Sequence, residues 1–342
     1  MKSEKPGPKP SVMTMSDMAR LAGVSESTIS RALADNPLIA QETRHRIQEL
    51  ARLTGYSVNP AASSLRTKQS KVMSVVIPLV HERDQHLSDP FMMTMLAYLA
   101  DALTGQGYDL LLSKIQAHEE RWVERLFRTQ RAAGAILIGQ SLEHQAIDRA
   151  ARAGVPLAVW GARMESQSYS TVGSDNRQGG YLAARHLIET GRRRIAFLGE
   201  RRVPEISQRF DGYLRAHHEA GLAPQAELEV QSGFAAAQAY DAARSLVSAG
   251  VPFDGIVAGS DVIAMSAIRA LSEVGLRTPD EVGVVGFDDI EMAAYTTPPL
   301  TTVRQDMATG ALLLVERVIA AAAGQAPQSV EMPAELIVRR ST

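Results

Sequence analysis

The sequence contains no cysteine, and that absence excludes disulfides, thiolate metal centres, zinc fingers and cysteine nucleophiles together. No stretch approaches the roughly 20 uninterrupted apolar residues of a membrane span. The opening residues MKSEKPGPKPS lack the apolar core of a secretion signal, so a cytoplasmic protein that meets no membrane is expected. Neither G-x-S-x-G, nor a phosphate loop, nor a dinucleotide glycine fingerprint stands at a strand–helix junction. His81-Glu82 with His86 imitates a zinc-protease motif, but a spacing of five places the two histidines on different helix faces. His217-His218-Glu219 offers no complete ligand set and reads as a surface helix. No catalytic residue, metal site or cofactor is therefore expected.

What is present fits a globular protein of two or three domains: 342 residues, 45% hydrophobic and 22% charged. The net charge of −2 hides an asymmetry. Residues 1–71 hold 11 Lys and Arg against 6 Asp and Glu, which leaves 25 against 32 for the rest. A basic head on an acidic body implies that the head alone meets a polyanion.

Within the head, Thr14 or Ser16 can cap a helix that carries Met18, Leu21 and Ala22 at helical spacing and ends at Gly23. Ser25 is a good cap for a second helix, Glu26 to about Ala34, with Ile29 and Leu33 on its buried side. A third helix, about Gln41 to Leu53, offers Ile47, Leu50 and Leu53 to close the core. Two short helices joined through a glycine form the helix-turn-helix plan. Glu26, Ser27, Thr28, Ser30 and Arg31 are left over on the second helix, mostly small or polar side chains able to enter a major groove. Arg31 can grip a guanine edge, Glu26 can accept from cytosine N4, and Ser25, Thr28 and Thr14 suit phosphate oxygens.

The string Val24 to Leu33, then Gln41-Glu42-Thr43-Arg44 and Gly55-Tyr56-Ser57, resembles the head of the lactose/galactose repressor family. The likeness continues through Asn59-Pro60-Ala61-Ala62-Ser63-Ser64-Leu65-Arg66, which is similar to that family's hinge helix. The resemblance implies DNA contacts from Tyr56, Asn59, Ala62, Leu65 and Arg66, with Leu65 wedged into a minor-groove base step and the hinge folding only on DNA. A segment this short and rich in small residues is not stable as a helix by itself.

From Val72 onward, apolar runs of strand length alternate with helical patterns, as in parallel sheets covered on both faces. The expected fold is an all-α helix-turn-helix head followed by an α/β body of two doubly wound parallel-sheet lobes. Such sheets bind ligands beyond the carboxyl ends of their strands. The loops there supply Asp89, Phe91, Gly139-Gln140, Trp160, Glu200 to Arg209, Ser260, Asp261 and Asp288, an aromatic and polar set suited to a polyhydroxylated ligand. Val284 to Asp289, Pro298 to Val303, Asp175-Asn176, Gly179-Gly180 and His186-Leu187 resemble the same family's effector-binding core, which is periplasmic-binding-protein-like. That resemblance implies effector contacts from Arg209 and Asp288 first, and from Asp89, Phe91, Trp160, Ser260 and Asp261 around them. Gly161 stands where several members carry an acidic residue.

The expected organisation is a disordered tail over 1–12, the head over 13–58, a hinge and linker over 59–71 and the body over 72–342. Lobe 1 takes about 72–172 and 302–331, and lobe 2 about 173–301 and 332–342. The helix from Gln305 to Ala322 should return to lobe 1 on a stripe of Leu312, Val315 and Ile319. The resemblance implies a homodimer that represses carbohydrate-utilisation genes on a double-stranded operator and is released by a carbohydrate effector. Two rivals share the body: a transporter's sugar-binding protein of the periplasmic type, which needs an export signal and no DNA-reading head, and an α/β enzyme acting on a sugar, which needs an oriented base or nucleophile.

Overall fold

The computed structural model describes residues 13–56, 70–79, 88–116, 122–123, 132–140 and 143–342. The expected tail, the hinge residues Asn59, Ala62, Leu65 and Arg66, and the His81–His86 motif lie outside the described residues. The chain divides between Ser70 and Lys71 into two compact units.

Among the described residues the first unit holds three helices, α1 (Met15–Ala22), α2 (Glu26–Leu33) and α3 (Gln41–Thr54). Thr14 caps α1 in a capping box with Asp17, and Gly23 ends it in the left-handed conformation at φ 68° that the turn requires. Met18, Ala19, Ile29, Ala32, Ile47 and Ala51 form the core, with Leu33, Leu50 and Tyr56 packed against its edge. Two expected core residues fall outside it. Leu21 is 58% and Leu53 69% exposed, because the small Ala19 and Ala51 let the helices approach along a neighbouring stripe. Arg46 donates to the Ala22 carbonyl at 3.2 Å and Arg44 pairs with Asp35 at 2.8 Å, which ties α3 to both turns.

Among the described residues the second unit holds two six-stranded sheets. The first is built from β1 (Val72–Leu79), β2 (Asp109–Gln116), β3 (Gly134–Ile138), β4 (Leu157–Trp160), β5 (Ser170–Ser174) and β11 (Val330–Met332). Its order is β11-β5-β4-β3-β1-β2, parallel throughout. The second holds β6 (Ile195–Leu198), β7 (Glu229–Val230), β8 (Gly255–Ala258), β9 (Gly283–Asp288), β10 (Thr301–Arg304) and β12 (Glu335–Ile337). Its order is β12-β10-β9-β8-β6-β7, with only β12 antiparallel. Among the described helices, lobe 1 carries α4 (Pro90–Gly105), α5 (His144–Arg152) and α10 (Met307–Ala322). Lobe 2 carries α6 (Asn176–Glu189), α7 (Pro204–Glu219), α8 (Ala236–Ser248) and α9 (Asp261–Glu273).

Period-two alternation explains why both faces are covered. Ile136 and Ile138 enter one cluster of lobe 1, Ala135 and Leu137 the other. Val284 and Val285 divide between the two clusters of lobe 2 in the same way.

Three elements depart from expectation. Helix α7 begins at Pro204, inside the stretch from Glu200 to Arg209 expected as a loop, since proline at a first helical turn presets φ and the Ile206, Phe210, Tyr213 spacing continues inward. Strand β10 pairs with β9, Thr301 opposite Val285, so the second crossing between lobes follows Arg304 and not Leu300–Thr302. Its Thr-Thr-Val-Arg sequence is too short and polar to announce a buried strand. On α10 the buried stripe is Ala311, Leu314, Val315 and Val318, while Leu312 is 63% exposed. His217, expected on a surface helix, is buried and holds the Tyr213 carbonyl.

Candidate functional site

In the head, the Ser25 hydroxyl accepts from the Thr28 N–H at 3.2 Å and lies 2.8 Å from the Ser27 hydroxyl and 2.9 Å from that of Thr28. Three hydroxyls thus gather at the start of α2, where free backbone N–H groups and the helix dipole favour a phosphate. Arg31 is exposed and makes no side-chain hydrogen bond or ion pair among the described residues, whereas Arg20, Arg44 and Arg52 are paired with Asp17, Asp35 and Glu49. Glu26 and Ser27 are exposed beside it. Ser30 corrects the expected reading surface: it is 8% exposed and sits next to core residue Ile29. Tyr56 is half-buried against the head core.

In the body, a cavity of about 100 Å³ lies between the two sheets, at their carboxyl ends. Asp89, Phe91, Trp160, Arg209, Ser260 and Asp288 all line it. Asp89 caps α4, its Oδ1 accepting from the Phe91 and Met92 N–H groups at 2.9 and 3.2 Å, and Ser260 caps α9. Trp160 is only 4% exposed; its ring lies against Gly310, where a Cβ would stand 2.3 Å from Cζ3, and 6.0 Å from the Phe91 ring. Glycine at 310 therefore lets α10 hold the indole in place, with an edge left for a ligand.

Arg209 is fixed from below. A Cβ at Gly180 would lie 1.9 Å from the Arg209 carbonyl, and one at Gly212 would lie 2.0 Å from that of Arg177. Glycine at both allows α6 and α7 to touch backbone to backbone, and Asn176 then accepts from Arg209 Nε at 2.8 Å. Gly259 accepts from Nη1, and the guanidinium carbon stands 3.6 Å above the Phe287 ring centre. Asp288 follows on the same strand at φ 122°, a conformation costing about 1–3 kcal/mol for a residue with a Cβ. Arg339 and Arg304 grip the adjacent Asp289 at 2.6 and 2.8 Å and so hold that strained corner.

Burial dominates the electrostatics. It pushes the Asp288 carboxyl up to about 7, with Arg209 and the Gln305 hydrogen bond (2.7 Å) pulling down and Asp89 pushing up. Asp89 and Glu205 are raised by the same desolvation. Burial also lowers Arg209, although its carboxylate neighbours oppose this and an arginine stays protonated.

Comparison with known proteins reaches both units. Residues 14–59 match the family described as bacterial regulatory proteins, lacI family, and residues 184–342 match the periplasmic binding protein-like domain. The HTH-type transcriptional regulator AscG of Escherichia coli (strain K12) is 31% identical over 295 residues, covering 85% of this chain and 86% of its own. This chain belongs to the lacI family. Another relative, the HTH-type transcriptional repressor PurR of Actinobacillus pleuropneumoniae serotype 3 (strain JL03), is 28% identical over 338 residues, 96% of this chain and 98% of its own. A solved complex of the transcriptional regulator CelR with cellobiose superposes with a TM-score of 0.73 at 27% identity, over 96% of this chain and 100% of that one. The Lac repressor dimer bound to operator and the anti-inducer ONPF shares the fold, with a TM-score of 0.84 at 23% identity over 97% and 99% of the two chains. As a lacI-family protein this chain is a DNA-binding transcriptional regulator with an effector-binding body.

Within this lacI-family body, one of the seven residues expected at the effector does not reach the cavity. Asp261 is wholly buried and accepts from the Ile290 N–H at 2.9 Å and from Thr302 Oγ1, so it positions the loop after β9. Gln305 and Glu205 are the polar lining residues not singled out beforehand. Gln305 hides in the misread crossing after β10, and Glu205 falls in what reads as a loop until Pro204 is recognised as the start of α7. Gly161 carries no side chain because Gln140 fills that space: a Cβ would meet it at 2.9 Å.

Proposed function

We propose that this chain acts in the cytoplasm as a homodimeric repressor of carbohydrate-utilisation genes and leaves its operator when a sugar enters the cavity between the lobes. Two heads read a near-palindromic site, because one helix-turn-helix buries too little to select a site in a genome. Thr14, Ser25, Ser27 and Thr28 take phosphates or the groove wall, Arg31 a guanine, Glu26 a cytosine, and Tyr56 supports the docked helix. Residues 59–71 form the hinge, with Asn59, Ala62 and Arg66 at the minor groove and Leu65 as its wedge.

One observation carries the effector half: Arg209 and Asp288, both 6% exposed, face one cavity from two lobe 2 elements while Phe91 and Trp160 enter from lobe 1. A ring with apolar C–H faces and paired hydroxyls fits that combination. The cellobiose held by the similar CelR supports a sugar as the ligand class. A sugar touching both lobes stabilises their closed arrangement, which moves the paired hinges apart. Regulation then needs about 1–3 kcal/mol of coupling.

The test is fluorescence anisotropy of the full chain on promoter-region duplexes at moderate salt, with and without mono- and disaccharides. Specific binding that a sugar relieves is expected. A chain that prefers no duplex, with or without sugar, ends the proposal.

A further inference from the structure

The charged groups lining the cavity, among the described residues, are Asp89, Glu205, Asp288 and Arg209, three carboxylates to one guanidinium. Arg209 is already engaged by Asn176, by Gly259 and by the face of Phe287. Two of its five N–H donors are thereby committed, and the rest must serve the ligand against three lining carboxyls.

Glu205 adds a second, independent observation. It stands one helical turn before Arg209 on α7, and its Oε2 is sealed from solvent with no hydrogen-bond partner. A buried carboxylate oxygen that accepts nothing is costly and calls for a donor. A ligand that reaches Glu205 Oε2 gains most by bringing a proton to it.

We infer that the effector carries no phosphate or carboxylate, and that Glu205 sets this specificity by accepting a ligand hydroxyl or ammonium proton on Oε2. The inference rests on the sugar-effector reading above and narrows it. An anionic sugar would bring another negative charge into a dry pocket already short of positive ones, where such repulsion is screened little. Desolvation raises all three lining carboxyls, outweighing the pull of Arg209 on Glu205 and Asp288, so the pocket as a whole is short of positive charge.

The experiment is calorimetry and thermal shift on the full chain with matched sets: glucose, galactose and cellobiose; glucosamine; glucose 6-phosphate, glucuronate and galacturonate. Each neutral or amino sugar that binds should do so at least tenfold more tightly than its anionic counterpart. Glu205→Gln keeps the shape of the side chain and replaces one acceptor oxygen by an amide donor. It should weaken the neutral or amino sugar about tenfold and shrink the gap to the anionic one, a change in ratio that a merely structural role would not produce. An anionic sugar binding as well as its neutral counterpart, or a ratio unmoved by Glu205→Gln, overturns the inference while leaving the sugar reading intact. If a nucleobase or nucleoside added to the panel, adenine or cytidine, binds and no sugar does, the sugar reading falls, and weakening of that ligand by Glu205→Gln separately decides the role of Glu205. A panel silent throughout overturns both.

Discussion

The two units keep their working side chains in opposite places. The head has a core of six small to medium residues, and what the core does not need is left outside: Arg31, Glu26, Ser27. In the body the corresponding groups are inside; Arg209 and Asp288 are 6% exposed and held by a packed frame of Asn176, Phe287 and Gln305. Exposed groups suit a polyanion, whose attraction is long-ranged and tolerant of geometry. Buried ones suit a small neutral molecule, which a protein distinguishes only by dry, directional hydrogen bonds. It follows that a change at a working residue of the head should cost DNA binding and little stability, whereas one in the body should cost both ligand and fold.

Arg209→Ala is the sharpest test of that contrast. It leaves Asp288 and Glu205 buried without their positive neighbour, and breaking such a set costs about 3–5 kcal/mol. Sugar affinity should fall by 100-fold or more in calorimetry, and the melting temperature of the body should drop, while operator binding without sugar persists in a mobility-shift assay. Retained release by sugar would place the effector elsewhere. The reciprocal change is Ile29→Ala in the head core, expected to cost about 2–4 kcal/mol. Calorimetric scanning should show the head transition moving down and DNA binding lost, with sugar affinity unchanged. A shift of both transitions would break the independence of the two units.

Legibility in the sequence followed the same divide. Helix caps are local, so Ser25, Gly23 and the bounds of α2 could be read from neighbours in the chain, and the first cap narrowed to Thr14 or Ser16. Continuous apolar runs announced β1, β3, β8 and β9, and the glycine and aspartate at 286 and 288 stood out by likeness to a family. What could not be read depended on distant residues. Leu21 and Leu53 look like core until Ala19 and Ala51 are seen to set the helix spacing. Ser30 looks like a groove-facing polar residue until it is found buried beside Ile29 on α2. Asp261 and Asp89 both stand at the start of a helix, and only tertiary packing sends one to β10 and the other to the cavity. Glu205 lay inside the offered stretch from Glu200 to Arg209 without being named, and Gln305 was missed; each sits beside an element whose start or end was misplaced.

Arg31→Ala should be milder than either change above. The side chain has no described partner to leave behind, so stability and sugar affinity should stay put. Operator affinity should fall by about 1–3 kcal/mol, with discrimination relaxed at a single base position. Uniform weakening on every sequence, with a smaller salt slope, would make Arg31 a phosphate contact instead.

The smallest effect expected is that of pH on the body, and the head should lack it. Asp288 titrates near 7 in the folded chain and near its ordinary 3.8 when unfolded. The folded state therefore holds the proton longer, and the contribution of Asp288 to stability, full below about pH 4, is lost as pH rises towards 7. Ligand binding should run the other way. A sugar that donates a hydroxyl to the carboxylate favours the ionised form, so its affinity should rise roughly tenfold between pH 6 and pH 8, the ratio of ionised fractions around a pKa near 7. In Asp288→Asn that rise should flatten, while the pH dependence of operator binding by the sugar-free chain is left as it was. If affinity instead fell with pH in the parent and not in Asp288→Asn, Asp288 would be donating its own proton to the ligand, and the contrast between a charged exposed head and a charged buried site would have to be redrawn.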